Sequence, residues 1–309
     1  MTVPATIPSA PVNGALLVAP RFADLFRNAG LSTLDDLFDP KLGMSLGKPG
    51  LEPWRERIRF SPRGAEDAPV FYAKRFQMPP ARARREIARS RSQARSCAGV
   101  EWCWINRLQA EGIPCAEPAA FAEEFRCGRE LRSVVVTREV PGTSLETWCD
   151  ARSAGEGEPG KLRGDVRAAC DDISKRACVR KIAHQVARVI TRLHEAGLFH
   201  RDLYLCHIFH DASAALDQSI RLIDLQRVIA PTWGHARWRI KDIAALNYSA
   251  PQRLFSNSDR LRWLKQYLCV SRLDAEARRM IYRIVGKTSA MAEHDRRRRV
   301  QLNGPGGPK

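Results

Sequence analysis

The stretch from Leu193 to Phe209, LHEAGLFHRDLYLCHIF, followed by Ile220 to Arg227, IRLIDLQR, constrains this chain more than any other part of it. It reads as a helix stopped at Gly197, a loop carrying His200, Arg201 and Asp202, and short strands, the last of which ends in Asp224. Asp202 and Asp224 lie 22 residues apart, and His207 falls five positions after Asp202. Carboxylates on loops beside short apolar strands are held by a scaffold yet open to a ligand.

A helix, a His-Arg-Asp loop, a polar residue five positions on and a strand-terminal aspartate form the order of the kinase catalytic loop and its metal-binding aspartate. Phosphoryl transfer needs one carboxylate to orient the incoming hydroxyl and accept its proton. It needs a second to hold Mg²⁺ across the β and γ phosphates of ATP. Asp202 and Asp224 fit those roles, so ATP and Mg²⁺ are the expected cofactors.

Two upstream residues extend the pattern. Lys74 ends the strand-like run VFYAK, and Glu101 opens the amphipathic stretch GVEWCWINRLQAEGI, in which Trp102, Ile105 and Leu108 recur at helical spacing and Gly112 suits a stop. Taken singly, Lys74 reads more readily as a solvated strand lysine and Glu101 as an acidic residue favoured by the helix dipole. With the downstream loop present, they read as the lysine that contacts the nucleotide phosphates and the glutamate that aligns it. A phosphate-binding loop is expected before them, where Gly43, Gly47 and Gly50 stand in a GxxxGxxG spacing; Gly50, near Lys48, is the candidate phosphate contact. The adenine is expected to bond the backbone at Val140, because Pro141 has no N–H.

The fold class these elements imply is α+β: a bilobal, protein-kinase-like fold with a small β-rich N-lobe and a mainly helical C-lobe. Residues 1–20 read as an irregular leader, 21–140 as the N-lobe, 141–293 as the C-lobe and 294–309 as a basic, disordered tail. The runs WRERIRF and VFYAKRF flank a turn-rich tip and form a hairpin, and LRSVVVTREV is a buried strand that ends at Pro141-Gly142, where the lobes would join. The Gly-rich stretch 151–165 reads as a mobile insertion, and 177–196 as a helix with Ala177, Ile182, Val186, Val189, Ile190 and Leu193 on one side. Short strands are expected at LFH, HIFH and IRLID, with helices again from about Lys241.

Nine cysteines, with no CxxC pair and no zinc-type spacing, suit reduced thiols in a cytoplasm. The longest apolar stretch near the N-terminus, Ala15 to Pro20, is too short for a membrane span or a secretory signal. The formal net charge of +17 attracts polyanions. No aromatic-basic motif points to nucleic acid. An anionic membrane surface is the expected partner of the arginines at 82, 84, 85, 89, 91 and 95 and of the run at 296–299, although such runs are as often merely solvated.

The assembled residues resemble the lipopolysaccharide kinase (Kdo/WaaP) family, relatives of protein kinases that phosphorylate sugars of the lipopolysaccharide inner core. KPGLEPWRERIRF is similar to that family's entry strand, and VEWCWINRLQAEGIP to its Glu-Trp helix and turn. HRDLYLCHIF, LIDLQR and RWRIKDIAALNYSA match its catalytic loop, metal segment and following Lys-Asp helix. The resemblance implies a kinase acting on a lipid-linked sugar, cytoplasmic or peripheral at the inner face of the cytoplasmic membrane. It places His207 at the second metal-ligand position, where His207 either binds metal or orients Asp202. A neutral imidazole is a poor partner for Mg²⁺, which favours the second role. Asp242 is expected to anchor the catalytic loop, His194 and His200 to be scaffold, and Gln226 to stand in place of a glycine that would reach φ > 0 readily. Two rivals remain. A protein kinase is disfavoured because only 18 residues separate Asp224 from Asp242, which leaves little room for a peptide shelf. An inactive nucleotide-binding scaffold is disfavoured because Lys74, Glu101, Asp202 and Asp224 are all present.

Overall fold

A computed structural model describes residues 13–47, 50–62, 68–154 and 166–303. They form two compact units, the first made of the described residues up to Pro141 with Leu222–Ala230, the second of those in Gly142–Arg221 and from Pro231 onward. The first boundary falls at Pro141/Gly142, where the lobes were expected to join. Gly142 has φ +87°, and a Cβ there would lie 2.1 Å from the carbonyl oxygen of His210, so only glycine lets the chain pass this close.

The first unit contains β1 (Leu17–Val18), α1 (Ala23–Asn28), β2 (Met44–Ser45), β3 (Arg55–Phe60), β4 (Phe71–Gln77), α2 (Ala81–Ser90), α3 (Cys97–Ala110), β5 (Pro118–Arg126) and β6 (Arg129–Arg138). Its strands make one sheet in the order β1-β5-β6-β4-β3-β2, and the pairings from β1 to β6 are antiparallel. Side chains alternate across it as the strand period requires. Phe60, Phe71, Ala73, Ala120, Ala122, Val134 and Val136 face a core with Phe22, Phe26 and Leu37. Phe76, Phe121 and Val135 face the other way, onto Cys97, Ala98 and Trp102 of α3. Lys74 shares the parity of Phe76, so it points to the side that α3 covers. The hairpin expected over Trp54–Phe76 is present as β3 and β4.

The second unit contains β7 (Thr143–Ser144), α4 (Leu145–Ala154), α5 (Val166–Glu195), β8 (Ile208–His210), β9 (Ile220–Leu222), α6 (His235–Ser249), α7 (Asn257–Tyr267) and α8 (Ala275–Asn303). The strands form a small sheet in the order β7-β8-β9, and at Leu222 the chain re-enters the first unit. Ile182, Val186, Val189, Ile190 and Leu193 are buried along one stripe of α5, as their spacing predicted, whereas Ala177, expected on the same side, is exposed because the buried part of the stripe starts only at Ile182. Helix α5 packs on α7, and α6 on α8.

Several expectations are corrected. The first 20 residues are not wholly irregular: Leu17 and Val18 pair with Phe121 and Ala120, because an apolar pair satisfies the free edge of β5. Residues 294–303 are not a disordered tail but the end of α8. Arg296 and Arg297 pair with Glu293 one turn back, and Asp295 accepts from the Tyr248 hydroxyl at 2.6 Å. The first part of the arginine-rich segment, for which no element was expected, forms α2, with Ala83 buried and Ile87 against the core. Phe199 makes a single bridge rather than a strand, and α6 starts at His235 rather than near Lys241. Residues 151–154 belong to α4, while the rest of the expected insertion, 155–165, lies outside the described residues, as do 304–309 and Lys48.

Candidate active site

In the first unit Lys74 is the centre of a cluster of charges. Its Nζ donates to both carboxylate oxygens of Glu101 at 2.8 Å and to Oδ1 of Asp224 at 2.8 Å. Arg57 donates from Nη2 to Asp224 Oδ2 at 3.2 Å. Arg57 sits directly opposite Lys74 in the β3/β4 register, so the sheet delivers both cations to one place. Burial pulls the Lys74 pKa down, but the carboxylates of Asp224 and Glu101 outweigh it and hold it above its ordinary value. Lys74 is therefore a charged ammonium, fit to meet phosphate oxygens.

Glu101 reaches this point because α3 is fixed at its start. The Ser96 hydroxyl caps the helix by accepting from Gly99 N at 3.0 Å. The carboxylate of Glu130 and the hydroxyl of Ser133, both on β6, accept from the N–H groups of Cys97 and Ala98. One turn on, Glu101 is turned inward with its side chain only 3% exposed.

Asp224 follows β9 and has φ 58° and ψ 58°, a left-handed conformation that aspartate tolerates better than most residues. Gln226 sits in the short 3-10 turn Leu225–Arg227 and accepts a hydrogen bond from Arg55. The positive φ thus belongs to the aspartate itself, and Gln226 needs none. The donors suit Mg²⁺, a hard cation that commonly takes one or two carboxylates and completes its shell with phosphates and water. Among the described residues no group of three or more His, Cys, Asp and Glu side chains forms an all-protein cage.

In the second unit the loop that carries Asp202 is held from its own carbonyls and from α6. The carbonyl of Asp202 accepts from Tyr204 N at 2.9 Å and from Nδ1 of His207 at 2.8 Å. Asp242, fully buried on α6, accepts from the backbone N–H of His200 and of Arg201, each at 2.7 Å. It also meets Nε2 of His194 at 3.2 Å, and because a carboxylate only accepts, Nε2 is the donor. Nδ1 of His194 lies 2.8 Å from the Tyr267 hydroxyl, whose pKa burial pushes up to about 12. Arg201, next to Asp202, has φ 68°, so these bonds hold the loop in a strained shape.

The structure brings Lys74, Glu101 and Asp224 into direct contact, and ties His207 to Asp202. Gly50 is an exposed turn residue with φ +78°, and Val140 is half-buried just before Pro141; neither is among the residues bonded in the Lys74 cluster. Arg57 was not anticipated. Its signal was the alternation Arg55, Arg57, Arg59 in WRERIRF, which puts three guanidinium groups on one face of the strand.

Comparison with known proteins places these residues in context. The model of the lipopolysaccharide kinase (Kdo/WaaP) family matches residues 81–267. The chain is 31% identical over 175 residues to the lipopolysaccharide core heptose(I) kinase WaaP of Pseudomonas aeruginosa, and 29% identical over 174 residues to the protein of that name from Escherichia coli. Each match covers 55% of this chain and 59% of the relative, so the chain spans less than two thirds of the length of these relatives. The solved structure of WaaP in complex with acyl carrier protein superposes with a TM-score of 0.60 at 22% identity, covering 91% of this chain and 98% of that one. The α+β, kinase-like fold expected from the sequence is therefore shared with that structure, and by its matched residues the chain belongs to the lipopolysaccharide kinase (Kdo/WaaP) family.

Proposed function

We propose that this chain is an ATP-dependent kinase that phosphorylates a sugar hydroxyl of a lipopolysaccharide core or a related envelope glycolipid. The observation that carries the reading is the Lys74–Glu101–Asp224 cluster, a buried ammonium shared by two carboxylates. Such a constellation serves a triphosphate and its metal, and a scaffold that had abandoned catalysis would have no need to keep it. Mg²⁺ on ATP would neutralise charge developing on the transferred phosphoryl group, with Asp224 as its carboxylate ligand. Lys74 would contact the phosphates, Glu101 would hold Lys74 in place, and Gly50 and Val140 would offer backbone to the phosphates and the adenine. Asp202 would orient the acceptor hydroxyl and take its proton. The bond from His207 Nδ1 to the Asp202 carbonyl favours His207 as the group that sets this loop, with metal binding through its other nitrogen as the alternative.

The test is transfer of labelled phosphate from ATP to extracted lipopolysaccharide. Asp202→Ala should lower the rate by about 10²–10⁴-fold with near-normal nucleotide affinity, because a general base acts on the acceptor. Asp224→Ala should in addition weaken Mg²⁺-dependent ATP binding. Retention of more than about a tenth of the rate by Asp202→Ala would remove it from the role of base.

We also infer a protein partner. The second unit holds an open pocket of about 750 Å³ lined by Leu145, Trp148, Val186, Leu246, Leu264 and Ile284 among others, within the size range of small-molecule sites. Together with the acyl carrier protein in the structure of the related WaaP, this supports an acyl carrier protein as ligand, its acyl chain seated in the cavity. Co-purification and calorimetry with acylated and unacylated carrier protein check it; equal binding of the two forms would dissociate the cavity from the partner.

A further inference from the structure

Asp224, the expected metal ligand, is covered by two cations. Lys74 takes Oδ1, and Arg57 takes Oδ2. These two hold the carboxylate on different terms. Lys74 is also bonded to both oxygens of Glu101 and is 17% exposed, whereas the Arg57 side chain is 30% exposed at the end of a longer, freer arm. A divalent cation placed on Asp224 would repel both, and the partner with less to lose is Arg57.

We propose that Arg57 is a ligand of the nucleotide triphosphate that also serves as a stand-in cation on Asp224, covering the carboxylate until nucleotide and metal arrive together. The inference rests on the kinase reading above. Charge supports it: Lys74 and Arg57 offset the carboxylates of Glu101 and Asp224, so a bare metal ion meets an Asp224 whose charge is already compensated. A metal that arrives with phosphates brings the anion that Arg57 can follow. The planar guanidinium fork matches two phosphate oxygens, which an ammonium cannot do. The β3/β4 register keeps Arg57 abreast of Lys74 whichever partner it holds, so the exchange needs rotation of a side chain and no movement of the sheet.

The experiment is binding by the full chain of ATP, ADP and adenosine with Mg²⁺ by calorimetry, and of Mn²⁺ alone by electron paramagnetic resonance, for wild type, Arg57→Ala and Arg57→Lys. Arg57→Ala should bind adenosine as wild type does and ATP about 10- to 100-fold more weakly, the effect of losing a charged hydrogen-bond partner. It should bind Mn²⁺ without nucleotide more tightly than wild type. Arg57→Lys, which keeps the charge and loses the fork, should lie between the two for ATP. Equal ATP affinity of wild type and Arg57→Ala, an equal loss for adenosine and ATP, or unchanged Mn²⁺ binding would each overturn the role of Arg57. A wild-type chain that binds no ATP would overturn the kinase reading itself, and this inference with it.

Discussion

Glu130 accepts the backbone N–H of Cys97 on both of its carboxylate oxygens, at 3.1 and 3.0 Å, and so ties the first turn of α3 to β6. Glu101, one turn further along, inherits its position from this bond. Glu130→Ala should cost about 1–3 kcal/mol, the loss expected when a buried donor is left unpaired. Burial holds the Glu130 carboxyl above its ordinary value of 4.5, against the hydrogen bonds of Ser133 and Cys97 that pull it down. The folded chain therefore binds this proton more tightly than the unfolded chain. The corresponding stability is complete below about 4.5 and is lost as pH rises through the raised value. Wild type should accordingly gain stability relative to Glu130→Gln as pH falls from 7 toward 4.5, read from thermal unfolding by circular dichroism. Parallel curves would show that Glu130 does not titrate in this window.

Removing Lys74 should damage the fold as well as nucleotide binding. Lys74→Ala strands the buried carboxylate of Glu101, a change expected to cost about 3–5 kcal/mol. The double variant Lys74→Met, Glu101→Gln should recover much of that stability without recovering ATP binding. Urea unfolding of wild type, Lys74→Met, Glu101→Gln and the double variant gives the coupling energy; additive losses would mean that the pair contributes nothing beyond its separate parts.

Asp242 bonds the loop that carries Asp202, so on the proposed reading its removal should act on the acceptor side and not on the nucleotide. Asp242→Ala leaves the N–H groups of His200 and Arg201 and the ring of His194 without their acceptor, at a cost of about 1–3 kcal/mol for each buried donor left unpaired. Asp242→Asn keeps one acceptor oxygen and should be milder. Both should lower kcat while leaving the KM for ATP close to wild type. A rise in that KM with kcat unchanged would contradict the assignment.

His207→Asn separates the two roles of this side chain. If its task is to hold the Asp202 carbonyl, the rate should fall about 10- to 100-fold with the ratio of Mg²⁺ to Mn²⁺ activity unchanged, as for an outer-shell partner. A tolerated substitution that shifts the metal preference would make His207 a ligand instead.

The residues legible in the sequence were those whose partners lie close along the chain or follow a period. Asp202 and His207 belong to one loop, and Glu101 follows from the helical stripe of Trp102, Ile105 and Leu108. Arg57 was not legible because three alternating arginines on a strand describe a solvated face equally well, and only the pairing with β4 selects one of them. Strand β5 was not legible since PAAFAEEFR offers alanine and glutamate where strands favour β-branched residues, yet its alanines fit the core beside Phe22 and Phe26 while Phe121 faces α3. The helical end of α8 was hidden by its arginine run, whose charge is offset by Glu293 and Asp295 and not by any feature of composition.

No described helix is long and apolar enough to cross a membrane, so on the proposed reading the arginines of α2 and of the turn after it are candidates for drawing the chain to the surface that holds a lipid-linked acceptor. Arg84, Arg85, Arg89 and Arg91 are exposed, while Arg82 pairs with Glu52 and Arg95 lies over the ring of Phe125, 4.7 Å from its centre. Each basic residue near an anionic surface contributes about 1 kcal/mol, and the attraction decays over about 8 Å at physiological salt. The wild-type chain should therefore sediment with anionic vesicles at low salt, release as salt is raised, and ignore neutral vesicles. A variant with all six arginines changed to Gln should bind markedly less. Equal binding of both proteins, or binding that salt does not weaken, would return α2 to an ordinary solvated helix; loss of binding with phosphate transfer to detergent-dispersed lipopolysaccharide unchanged would place these arginines in delivery to the surface and outside the chemistry.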